Sequence, residues 1–284
     1  MKVNTIHCGD ALSYLRTLPD GCVDACISDP PYAEVDRDYG RLSEDDWMTL
    51  MKAVTLEVKR IVKPTGSAMF VLQPNFEKLG KMRLWLWRYL LWAAEAWNLI
   101  QDAYWWNHTT LPMAGASSVL MRGSVKYCIW LGAPVAKRYQ EAVLWRLSDS
   151  IKMSDLSDRA LHCHTSGASV RRSRMTEIPL KKGGSTPFNI LPIHNTNSVS
   201  SAGAYGHGAG TPEPLVRWWV RYLTKPSDVV LDPFMGSGTT ALVARAEGRD
   251  FLGCDLNPKY VAIAEKRLAQ PYTPRLFYDD EVKG

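Results

Sequence analysis

Asp228-Val229-Val230-Leu231-Asp232-Pro233-Phe234-Met235-Gly236-Ser237-Gly238-Thr239-Thr240-Ala241 reads as a buried strand, a glycine turn and the start of an Ala-rich helical pattern. Gly236, Gly238 and Ala241 keep the G-x-G-x-x-G/A spacing, in which small residues let a cofactor approach the backbone and let the helix pack on the strand. No Lys follows Gly238, so this is not a phosphate loop for nucleoside triphosphates. The next predicted strand, Phe251 to Cys254, ends in Asp255, 19 residues beyond Gly236. Such folds place an acid at about that distance to hold the ribose hydroxyls of an adenosine cofactor. The stretch is an adenosine-cofactor half-site in an α/β fold.

Downstream of this stretch the sequence holds Arg249 to Leu256, one helix over Pro258 to Leu268 and a short tail. A nicotinamide dehydrogenase needs several further βαβ units after its glycine turn, so the sheet must borrow strands from the N-terminal half. Apolar runs predict strands at Val3 to Cys8, Val23 to Ser28, Ser67 to Leu72, Asp102 to Trp106 and Lys126 to Gly132. Helical periodicity falls near Leu12 to Leu18, Glu44 to Val62, Phe76 to Trp97 and Glu213 to Leu223. Alternating units predict a doubly wound, mostly parallel sheet. Right-handed crossovers then bring the carboxyl ends of the strands before Asp29 and Asp232 to one switch point.

Asp29-Pro30-Pro31-Tyr32 follows the first of those two strands. The prolines stiffen the exit from the strand and lack N–H groups, leaving the Asp29 carboxylate and the Pro30 carbonyl as acceptors. Tyr32 adds a flat face. A planar base with an exocyclic amine donates to both acceptors while stacking on tyrosine, a contact worth roughly 1–3 kcal/mol.

Taken with their order, the two motifs resemble those of the beta-class DNA amino methyltransferases, which use S-adenosylmethionine. In that class the D/S-P-P-Y/F motif comes first and F-x-G-x-G last, as Asp29 to Tyr32 and Phe234 to Gly238 do here. Cys8-Gly9-Asp10-Ala11-Leu12, Leu18 to Asp24 and Gly253 to Arg267 also match the family pattern. The family often has H-P-T-Q-K-P where this chain reads Ala209-Gly210-Thr211-Pro212-Glu213-Pro214, so the lysine position is a glutamate and His207 is displaced. The Thr-x-x-Pro frame persists and is expected to start a helix. The resemblance implies a Rossmann-like methyltransferase fold with permuted motif order. It assigns Asp29, Pro30, Pro31 and Tyr32 to the catalytic end, with Tyr32 stacking on the base. It assigns Asp10 to the adenine amine of the cofactor, Asp255 to its ribose, and Ala11, Asp232, Phe234, Gly236, Ser237, Gly238 and Thr239 to the rest of the cofactor pocket. Duplex DNA is the implied partner, and a homodimer is expected because dimers occur in the family.

The 284 residues and 46% hydrophobic content suit a catalytic core plus an insertion. The expected division is 1–135 as the catalytic half, 136–204 as a loop-rich target-recognition insertion and 205–284 as the cofactor half. Most of the +5 charge is local: Ile151 to Ser201 holds seven Lys and Arg against three Asp and Glu. Arg171, Arg172, Arg174, Lys181 and Lys182 are the expected phosphate contacts. The six cysteines form no C-x-x-C pair, and no signal peptide or membrane stretch is evident, so reduced thiols in a cytoplasmic compartment are expected. His162-Cys163-His164 lacks a second ligand pair, so no metal site is expected. No cysteine follows a proline, which steers the chemistry from the covalent route of cytosine-C5 methyltransferases to an exocyclic nitrogen. The Trp-rich run from Leu84 to Trp106 repeats at helical intervals and is expected in the core or a subunit interface.

The expected reaction is direct methyl transfer from S-adenosylmethionine to an amine nitrogen of a base flipped out of duplex DNA. Adenine N6 is preferred to cytosine N4 because the motif begins with Asp, whereas cytosine-N4 members of the family often begin with Ser. A nicotinamide oxidoreductase, a noncatalytic DNA-binding module and an RNA or protein methyltransferase are the alternatives.

Overall fold

The computed structural model describes residues 1–37, 40–78, 80–107, 123–144, 184, 186–194 and 210–272. Met1–Arg138 and Asn189–Tyr272 make one compact unit. The second unit comprises Tyr139–Phe188 and Thr273–Gly284. Its described part holds a 3-10 turn at Gln140–Val143 and a bond from Gln140 Nε2 to Thr186 Oγ1 of 2.7 Å.

In the first unit the strands are β1 (Thr5–Cys8), β2 (Val23–Ser28), β3 (Val62–Leu72), β4 (Phe76–Lys78), β5 (Lys81–Met82), β6 (Leu99–Trp106), β7 (Val125–Gly132), β8 (Ile190–Pro192), β9 (Val229–Asp232) and β10 (Asp250–Asp255). The helices are α1 (Ala11–Thr17), α2 (Glu44–Ile61), α3 (Trp85–Ala96), α4 (Glu213–Leu223), α5 (Thr239–Ala246) and α6 (Pro258–Ala269). Eight strands form one sheet in the order β1-β10-β9-β2-β3-β7-β6-β8. All neighbours pair in parallel except at β7, which runs against both β3 and β6. The sheet is mostly parallel, as the alternating pattern requires.

Side chains alternate between the two faces, as the period of two demands. Cys26, Ala68, Phe70, Ile129 and Leu231 join a core with residues of α1, α2 and α3. Ala25, Ile27, Met69, Val71, Trp130 and Val230 join another with residues of α4, α5 and α6. Helices therefore cover both faces, which explains why β2 and β3 read as continuous apolar runs instead of alternating ones. Trp85 and Tyr89 of α3 are buried against Trp47 of α2, whose ring lies 4.4 Å from that of Trp85. The Trp-rich run is thus core at these positions, while Trp106 is 44% exposed.

Strands β3 and β6 begin earlier than expected, at Val62 and Leu99, and two elements differ in kind from the sequence reading. The expected helix over Phe76 to Trp97 is a β4–β5 hairpin followed by a helix that begins only at Trp85. Gly80 takes φ +78°, a left-handed turn that a helix interior does not contain, and the Arg83 N–H returns to the Asn75 carbonyl at 3.0 Å. The polar stretch read as loop holds β8, which pairs in parallel with β6 and forms that end of the sheet. Among the described residues, no helix is long and apolar enough to cross a membrane.

Candidate active site

Strands β2 and β9 are neighbours, registered through Ala25 with Val230 and Cys26 with Leu231. Their carboxyl ends leave the sheet side by side, joined by a bond from Ser28 Oγ to Asp232 Oδ1 of 2.5 Å. Asp232 is buried, and desolvation pushes its carboxyl up to about 6, against bonds from Ser28, Thr240 and the Phe234 N–H that favour the anion. A cleft of about 600 Å³ opens above this junction. Its lining includes Asp29, Pro30, Pro31 and Tyr32 from one strand end, and Asp232, Phe234, Gly236, Ser237 and Thr239 from the other. Asp10, Ala11 and Asp255 line it as well. The two motifs, about two hundred residues apart in the chain, thus face one cavity of a size usual for small-molecule sites.

The glycine turn is tied down by backbone. Gly236 and Gly238 take φ +51° and +80°, a region in which a side chain is strained. The Gly238 N–H bonds to the Met235 carbonyl at 2.9 Å, and the Met235 N–H to the Cys254 carbonyl at 2.9 Å. A Cβ on Gly238 would sit 2.7 Å from that of Ala264, so the turn also packs directly on α6. Asp255 accepts from the Gly236 N–H and the Asn257 N–H, both at 2.8 Å, and so holds the turn while it lines the cleft. Asp10 caps α1 by accepting from the Ser13 N–H at 2.8 Å.

Beneath the turn lies Arg267, which sequence reasoning counted only within a matching segment. Its side chain is 3% exposed, and Nη1 donates to the Ser237 carbonyl at 2.6 Å. Its Nη2 pairs with Glu213 at 3.4 Å. The glutamate that departs from the family pattern is therefore the counter-charge of a buried arginine. A buried cation without such a partner carries a large desolvation penalty.

The Asp29 end of the cleft is built from side chains. Asp29 Oδ1 accepts from Tyr32 Oη and Oδ2 from Thr211 Oγ1, each at 2.7 Å. Lys126, at the start of β7, donates to Tyr32 Oη at 3.0 Å and lies 3.9 Å from Asp29 Oδ2. The loop is buttressed from behind, because Trp47 Nε1 donates to the Pro31 carbonyl at 2.5 Å and Asn75 Nδ2 to the Ala33 carbonyl at 2.6 Å. Trp85 Nε1 in turn fixes Asn75 Oδ1 at 3.0 Å. Lys126, Thr211 and Trp47 were missed as site residues. The signals available for them were a lone lysine opening an apolar strand, and the surviving threonine of the Thr-x-x-Pro frame. Arg171, Arg172, Arg174, Lys181 and Lys182 lie outside the described residues, as does His162-Cys163-His164. Among the described residues no cluster of ligating side chains suits a metal ion.

Comparison with known proteins bears on this arrangement as a whole. The DNA methylase family model matches residues 23–266. The type II methyltransferase M.PvuII of Proteus hauseri is 27% identical over 282 residues, covering 93% of this chain and 83% of that protein. The DNA adenine methyltransferase YhdJ of Escherichia coli K12 is 26% identical over 280 residues, covering 94% and 83%. Among solved structures, a PvuII DNA methyltransferase described as cytosine-N4-specific superposes with a TM-score of 0.70 at 20% identity, covering 99% of this chain and 90% of the other. A DNA modification methylase of Thermus thermophilus, TTHA0409, solved with S-adenosyl-L-methionine, gives 0.60 at 20% identity, covering 94% and 93%. Because the family match runs from the strand before Asp29 to the helix behind the glycine turn, the chain belongs to the DNA methylase family.

Proposed function

We propose that this protein transfers a methyl group from S-adenosylmethionine to the N6 amine of adenine in duplex DNA. The observation that carries the reading is the single cleft shared by the Asp29–Tyr32 edge and the glycine turn. The residues present fit the cofactor. Asp255 and Asp10 offer carboxylate acceptors for ribose hydroxyls and an adenine amine, and Phe234, Leu256 and Tyr260 line the same cavity with apolar surface. Bound there, the sulfonium supplies an electrophilic methyl.

The chain's own residues supply the rest. A base amine is a poor nucleophile because its lone pair is shared with the ring. Asp29 and the Pro30 carbonyl accept its two hydrogens, which favours a tetrahedral nitrogen and stabilises positive charge as it develops. Tyr32 stacks on the base, and the paired strand ends fix the distance between acceptor and donor pockets, supplying orientation without a covalent intermediate. A flipped base is required because the amine is out of reach within the stack.

Similarity to the PvuII enzyme favours a second reading, methylation of cytosine N4. The leading Asp of the motif supports adenine. Incubation with labelled S-adenosylmethionine and unmethylated genomic DNA, followed by sequencing for modified bases, separates the two. N6-methyladenine is the expected product, N4-methylcytosine would transfer the conclusion to the second reading, and no transfer to DNA would overturn both.

A further inference from the structure

Lys126 has no part in the mechanism above, yet its ammonium sits in the catalytic cleft. It is the second residue of β7, opposite Trp105 of β6, and the side chain is 23% exposed. The ammonium lies 4.9 Å from the Trp105 ring centre and 5.3 Å from that of Tyr32, besides the bond to Tyr32 Oη at 3.0 Å. A partly desolvated lysine costs stability unless its three donors find partners. Here Tyr32, Asp29 and two aromatic faces provide them.

The hydroxyl bonds on Asp29 compete with an incoming amine, because one hydroxyl already occupies one acceptor position on each carboxylate oxygen. Thr211 is held close to the backbone just before α4. Tyr32 Oη is at the end of a longer side chain and has a second partner in Lys126. When a base amine takes its place on Oδ1, the phenol oxygen keeps the bond it accepts from the ammonium and the ring stays anchored, while its O–H, which an ammonium cannot accept, turns to the open side of the cleft.

We propose that Lys126 is a positioning residue for the methyl acceptor. It retains the phenol of Tyr32 while Asp29 Oδ1 exchanges that hydroxyl for the hydrogen of the target amine. The proposal rests on the reading that Asp29 accepts from that amine. The role acts through Tyr32, so its signature is coupling between the two residues.

The test is a double-mutant cycle of Lys126→Met and Tyr32→Phe, assayed with labelled S-adenosylmethionine and unmethylated genomic DNA, with cofactor affinity by calorimetry alongside. Lys126→Met is expected to lower kcat about tenfold while cofactor Kd stays within about twofold, and Lys126→Arg, which keeps a donor, to recover most of the loss. In the Tyr32→Phe background, where there is no hydroxyl to retain, Lys126→Met is expected to cost little more. A Lys126→Met enzyme within about twofold of wild-type kcat, or an undiminished loss in the Tyr32→Phe background, would overturn the proposal. If Lys126→Met also lowers the melting temperature, the background comparison still decides, since a structural loss persists there. A wild-type protein that methylates no DNA overturns the underlying reading instead, which is a distinct result.

Discussion

The two ends of the cleft are made differently. At the glycine turn, backbone groups bond to backbone or to a fixed carboxylate, glycines take conformations closed to other residues, and a buried arginine holds the underside. At the Asp29 end, among the described residues, the carboxylate's contacts are with side chains, and the Tyr32 hydroxyl and the Lys126 ammonium each have a second partner there. On the proposed reading, the glycine turn holds the cofactor and keeps its shape through each turnover, whereas the Asp29 end receives the base and exchanges its hydrogen bonds. Main-chain bonds thus fix the glycine turn, and side-chain bonds shape the Asp29 end.

Four measurements test this difference between the two ends. Asp29→Ala is expected to reduce methyl transfer by at least about a thousandfold, the scale of losing a preorganised electrostatic group, with cofactor Kd and melting temperature near wild type. Calorimetry with thermal melting checks it, and a large loss of stability would break the contrast. Asp232, at the junction of the two ends, tests the buried floor. Its carboxyl is raised to about 6, so the folded chain holds a proton that the unfolded chain releases near pH 4. The stability from that proton is complete below about pH 4 and is lost as the pH rises to about 6, a fall of about 3 kcal/mol. Asp232→Asn is expected to lack this fall, which paired melts across that window will read.

Gly238→Ala is expected to destabilise the fold by about 2 kcal/mol, through the left-handed φ and the close approach to Ala264. Denaturant titration measures it, and a neutral result would mean the turn is less rigid than its bonds imply. Asp255→Ala removes an acceptor of two backbone N–H groups and is expected to weaken cofactor binding about tenfold, leaving DNA affinity unchanged. Titrations with cofactor and with DNA, run separately, check it.

Much of the fold was legible in the chain because β2, β9 and β10 are buried on both sides and must be continuous apolar runs. The adjacency of β2 and β9 followed from the order of the two motifs and the need for the glycine turn to find strands upstream. The hairpin at Phe76–Met82 and the strand Ile190–Pro192 were not legible, since two- and three-residue strands show no period and form only where a partner edge is offered. In the candidate site, Asp29, Tyr32, Gly236 and Asp255 stood out through local spacing. Thr211 and Lys126 did not, because what places them at Asp29 and Tyr32 is the sheet order, which brings together residues 182 and 94 positions apart. Glu213 looked like a lost lysine until Arg267 appeared beneath it.

Among the described residues strand β1 pairs with β10 alone, so the earliest-made of the described strands of this sheet finds its neighbour in the latest-made. Sheet assembly on that flank must wait until β10 has been made, and non-local pairing of this kind is slow. Until then Thr5–Cys8 is an open edge that invites wrong partners, so nascent chains of this protein should lean on chaperones during synthesis.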